Sequence, residues 1–151
     1  ILTGHLGEVD PTRPVSVSAF VRSRTEPSLF ARILADLTGQ SFDRVLVQDG
    51  SGGGDPKPVF LPLCYRALQE TFPEGSKPRP AAVVEVFEET TEPGEDFSAR
   101  PADPARVAEQ LELAGEYFPE IYLFSFSAYL DPAASDRSRS LYRSLLPISA
   151  E

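Results

Sequence analysis

The sequence predicts an α/β domain with a mixed sheet of four to five strands, three main helices and a short C-terminal helix. Three observations carry this. Segments rich in β-branched and aromatic residues alternate along the chain with segments whose apolar residues recur every three to four positions. The 151 residues are 41% hydrophobic, enough to build one core, and no repeat or long linker divides them, so residues 1–151 read as one domain. Serines occupy one face of the first and last strands, which a parallel sheet covered on both sides rarely shows. A mixed sheet with helices mainly on one face satisfies all three. A two-layer α+β arrangement is the alternative.

The elements follow in order. Residues 1–23 suggest an N-terminal hairpin, with Pro11 and Pro14 in its turn. Its second strand alternates Val15, Val17, Ala19 and Val21 with Ser16, Ser18 and Arg22, and Phe20 breaks the pattern. Thr25, Glu26 and Pro27 suit a helix start, Leu29, Phe30, Ile33, Leu34 and Leu37 its buried stripe, and Gly39 its end. Residues 42–48, centred on Val45, Leu46 and Val47, read as a buried strand.

A Gly- and Pro-rich stretch follows, and residues 49–61 are expected to form a mobile loop. Pro62 fits the first turn of a second helix, with Leu63, Cys64, Ala67, Leu68, Thr71 and Phe72 inward. Residues 81–89 form the third strand, rich in valine. Asp103 and Pro104 open a third helix packed through Val107, Ala108, Leu111, Ala114 and Phe118. Residues 121–130 alternate as one long strand, which buries Phe124 and Phe126. A short helix over residues 135–146 ends the series.

Composition narrows function by exclusion. A net charge of −9 repels phosphate backbones and anionic lipid surfaces, so neither nucleic acid nor membrane is an expected partner. The complement of such a surface is a basic protein. One cysteine and the absence of a secretory signal fit a cytoplasmic setting. Arginine outnumbers lysine twelve to two, which suggests a GC-rich, bacterial coding sequence. The chain begins at Ile1 and contains no methionine, as expected of a processed or excised product.

Catalytic and metal signatures are missing. His5 and Cys64 are single residues of their kinds, too few for a zinc site, and no metal or cofactor is expected. No serine sits in a nucleophile elbow, and Cys64 reads as an inert packed thiol. Glu85 and Glu89 fall on one face of the third strand, with Glu88 on the other. Paired carboxylates of that kind serve glycoside hydrolysis, but acidic strands produce them by chance too.

Two function classes follow. The leading one is a non-catalytic binding protein, of inhibitor, immunity or adaptor type. It would engage a basic partner through the acidic segment 85–96, which carries Glu85, Glu88, Glu89, Glu92, Glu95 and Asp96 and no base. The alternative is a small ligand-binding domain or enzyme using the loop residues Asp49, Ser51, Gly52, Gly53, Gly54, Asp55 and Lys57. Loops beyond the carboxyl ends of strands are where α/β sheets gather ligands.

Overall fold

A computed structural model describes residues 15–21, 26–38, 42–53 and 60–146. Its elements run β1 (Ser16–Phe20), α1 (Pro27–Thr38), β2 (Arg44–Gln48), a 3₁₀ turn (Ser51–Gly53) and α2 (Leu61–Thr71). Next come β3 (Arg79–Glu85), β4 (Phe87–Glu89), β5 (Ala99–Pro101) and α3 (Pro104–Tyr117). They are followed by β6 (Ile121–Phe124), a π-helical turn (Phe126–Leu130) and α4 (Asp136–Leu145). The expected hairpin partner before Val15, the Thr25 cap and the Gly39 terminus lie outside the described residues.

The α/β architecture is present, with β1, β2, β3 and β6 forming one four-stranded sheet in that order. All three pairings are parallel, running from Ser16 opposite Arg44 through to Glu85 opposite Phe124. The antiparallel component is a separate ribbon of β4 and β5, with Glu88 opposite Arg100.

Alternation along the parallel strands sorts side chains to two faces. Val45, Val47, Ala82 and Val84 join one apolar core with Phe30 and Leu34 of α1, Leu68 of α2, Val107 of α3 and Leu141 of α4. Tyr65 of α2 meets Phe118 edge to face at 4.8 Å, tying α2 to the end of α3. The helices therefore cover one face. Ser18, Phe20, Leu46, Gln48, Val83, Glu85, Tyr122 and Phe124 occupy the other, following the strand registers.

Helix ends follow their chemistry. The Glu26 carboxylate accepts the free backbone amides of Ser28 and Leu29, so Glu26 supplies the cap at the start of α1. Asp103 accepts from the Ala105 amide at 2.7 Å, and Ser135 from the Ser138 amide at 2.9 Å.

Several expectations are overturned by the structure. In α1 the inward row is Phe30, Ala31 and Leu34, while Leu29, Ile33 and Leu37 are exposed. The five apolar residues form two adjacent i, i+4 rows, and only one of them meets the sheet. Leu63 and Thr71 of α2 and Ala108 of α3, expected inward, are exposed as well. Residues 121–130 are not one strand. Beyond Glu85 the neighbouring chain leaves the sheet to pair as β4 with β5, so residues past Phe124 have no ladder to join. They bond locally instead, with Tyr129 N–H donating to Ser125 and Asp131 N–H to Phe126. Phe124 and Phe126 are consequently half exposed rather than core, and Leu111 is only half buried.

Candidate functional site

The carboxyl ends of β1, β2, β3 and β6 open into a cleft of about 460 Å³. Gln48, Glu85 and Glu89 are its polar side chains. Phe20, Phe87, Phe97 and Phe124 supply aromatic walls, and Gly50 and Gly53 lend backbone. Phe87 anchors the aromatic cluster, with its ring 5.2 Å from Tyr129, 5.9 Å from Phe97 and 6.3 Å from Phe124.

Two carboxylates are buried where β2 and β3 end. Asp49 is wholly buried and Glu85 is 2% exposed. Asp49 Oδ1 accepts from the hydroxyl of Ser51 at 2.7 Å, from its amide at 3.2 Å and from the Glu85 amide at 3.3 Å. The 3₁₀ turn is thereby folded onto the end of β3. Glu85 Oε2 in turn accepts the Gly52 amide at 2.8 Å. Gly52 is required by this approach, since a Cβ there would lie 2.6 Å from the Phe87 ring and 2.8 Å from Glu85 Oε2.

Arg106 locks the assembly from α3. One guanidinium nitrogen donates to Ser51 Oγ at 3.0 Å and Gln110 Oε1 at 2.6 Å. The other donates to the carbonyls of Glu85 at 3.1 Å and Phe87 at 2.7 Å. It thus spans the break between β3 and β4, which aims Glu85 and Glu89 into the same cleft.

Burial shifts the proton affinities of these groups. It raises the carboxyls of both Asp49 and Glu85 above the ordinary range. For Glu85 the Gly52 amide works against that rise, while the charges of Asp49 and Glu89 add to it. Burial also lowers the Arg106 pKa, against the pull of the surrounding acids. Glu89 stands exposed at the rim, and the Gly53 backbone crowds it, with a Cβ there lying 3.2 Å from Glu89 Oε2. The cleft therefore holds a buried acid of raised pKa, Glu85, beside the exposed side chain of Glu89.

Of the loop residues singled out from sequence, Asp49, Ser51 and Gly52 build the turn and Gly53 lines the cleft, while Gly54, Asp55 and Lys57 lie outside the described residues. The acidic segment divides. Glu85 is buried, and Glu88 pairs with Arg100 at 3.0 Å and accepts the Asp103 amide at 3.0 Å. These contacts hold Glu88 below the usual glutamate range against the opposing effect of burial. Glu89, Glu92, Glu95 and Asp96 remain exposed. Cys64 is buried in the core, and burial pushes its thiol up to about 11.

Sequence reading missed Arg106, Gln48 and the aromatic walls. Phe20 carried a legible signal, being an apolar side chain in the polar frame of β1. Arg106 carried none, because its partners outside its own helix, Ser51 Oγ and the carbonyls of Glu85 and Phe87, are brought near it only by the fold. Among the described residues no helix is long and apolar enough to cross a membrane, and no acid, histidine or cysteine cluster could hold a metal. Comparison with protein-family models, curated proteins and solved structures finds no match for this chain.

Proposed function

We propose that this protein binds a neutral, hydroxyl-rich ligand of carbohydrate type in the cleft at the carboxyl end of the sheet, and that Glu85 donates a proton to it. The observation that carries the reading is the placement of buried Glu85 and solvated Glu89 in one aromatic-walled cleft. Apolar ring faces pack against the C–H faces of sugars, and carboxyl and amide groups bond hydroxyls. The net negative charge of the chain disfavours anionic ligands. A carboxyl kept protonated by burial is suited to protonate a leaving oxygen as its bond to carbon breaks. Glu89 would take a proton from the water that adds to that carbon. Asp49, Ser51 and Arg106 hold Glu85 in place without touching ligand.

Saturation-transfer NMR against a panel of neutral methyl and aryl glycosides tests the binding, and release of the aryl group tests the chemistry. Glu85→Gln is expected to keep binding and to lower turnover by at least a hundredfold. A panel without any binder, or undiminished turnover in Glu85→Gln, would refute the reading.

A second reading rests on the exposure of Glu92, Glu95 and Asp96 beside Glu89. These acids suit a basic protein partner, steered by charge. Partner capture that weakens in salt and in a Glu92→Gln/Glu95→Gln variant supports it, and capture unaffected by either excludes it.

A further inference from the structure

We propose that two copies of this chain close edge to edge into an eight-stranded parallel barrel, with β1 of each copy pairing with β6 of the other. Strand order β1-β2-β3-β6 places each successive parallel strand beside the last, with the helices gathered on one face. That is the wall of a β/α barrel, in which the helix-free face is the interior. Four strands make an arc, and closure at a packed radius takes eight.

Both edges have the character of covered strands. β1 (SVSAF) and β6 (IYLF) contain no charge, no proline and no bulge, the usual devices that keep a free edge from pairing. In β1 the backbone groups of Val15 and Val21 bond toward β2, so by alternation those of Ser16, Ser18 and Phe20 face away from it, where no strand among the described residues pairs with them. In β6 the carbonyls of Glu120 and Phe124 bond toward β3, so Ile121 and Leu123 face outward.

The helix-free face exposes aromatic side chains together with Ser16 and Ser18. Phe20 is 53% exposed, Phe124 47% and Tyr122 40%. The helix layer shows the same incompleteness at its ends. α1, which follows edge strand β1, exposes the row Leu29, Ile33 and Leu37, and Leu146 is exposed just after α4 at the other end. One occupant answers all of these together. A second copy related by a two-fold axis along the barrel presents β6 to β1 and β1 to β6 in the same parallel sense. It satisfies both edges with one interface type and brings the strand count to eight.

Sedimentation equilibrium of the full chain tests the proposal. The expected species has twice the chain mass at micromolar concentration, and a monomer across the whole range overturns it. Ser18→Pro removes an outward-facing donor and is expected to give a monomer with unchanged far-ultraviolet dichroism, whereas Ser18→Ala stays dimeric. A Ser18→Pro dimer as tight as the parent's overturns the proposal. So does a disulfide-linked dimer formed readily by Ser18→Cys alone, since that would join β1 to β1. If Ser18→Pro does not fold, the parent's mass and the Ser18→Cys result still decide.

Discussion

The carboxylate of Glu85 and the backbone amide of Gly52 meet at 2.8 Å, and the same oxygen lies 2.8 Å from where a Gly52 side chain would begin. A turn thirty-three positions earlier in the chain thus seats the acid and leaves no room for a methyl group. Gly52→Ala must push aside the Phe87 ring, itself packed on Tyr129. It is expected to cost about 1 to 3 kcal/mol, the range for overpacking, and to weaken ligand binding. Urea denaturation monitored by circular dichroism measures the first, and NMR titration the second.

Arg106 invites a sharper substitution. Its guanidinium serves four acceptors in two directions, which a single ammonium cannot span. Arg106→Lys should therefore lose about 2 to 4 kcal/mol despite keeping the charge, because buried carbonyls are left unpaired. A loss below about 0.5 kcal/mol in urea unfolding would show that charge, not the fork, holds the β3–β4 break.

The pH dependence of stability carries a defined sign. Burial raises Glu85 above its unfolded value, so the native state holds that proton more firmly. Its contribution is complete below the ordinary glutamate range and is lost as pH rises through the elevated folded value. Asp43, Glu88 and Glu120 are lowered, so what they contribute is instead lost on acidification. Glu85→Gln isolates the first effect. It is expected to be at least as stable as the parent at pH 7, with its advantage shrinking toward pH 4 in thermal melts at stepped pH. An advantage that grows on acidification would contradict the assignment.

The alternation of strands and helices was legible because each period reports its own element, and the caps at Asp103 and Ser135 follow from their residue types. What periodicity could not decide was which of two adjacent rows faces inward. Leu37 illustrates this, at 68% exposure on a row that helical spacing alone makes as good as that of Phe30. Nor could alternation show that the ladder stops at Phe124, since that depends on where the neighbouring strand departs. Asp49, Ser51 and Gly52 drew notice as a loop, and Glu85 with Glu89 as an acid pair. Their union at one cleft depends on the pairing of β2 with β3, which no local pattern encodes.

Core and surface substitutions separate those two rows. Phe30→Ala removes a ring buried in the core on the inward row of α1 and should cost about 3 to 5 kcal/mol. Leu37→Ala should cost under about 1 kcal/mol. Equal losses in denaturant midpoints would mean that α1 is turned otherwise than described.

In the proposed function Glu85 holds its proton in a cleft that receives a neutral, hydroxyl-rich ligand. Carbon-detected NMR titration of the Glu85 side-chain carboxyl, assigned by its loss in Glu85→Gln, tests this most directly. The expected midpoint lies above that of ordinary glutamates, and the carboxyl resonance is expected to change further when a binding glycoside is added. A midpoint in the ordinary range, with a resonance indifferent to every glycoside tried, would contradict it.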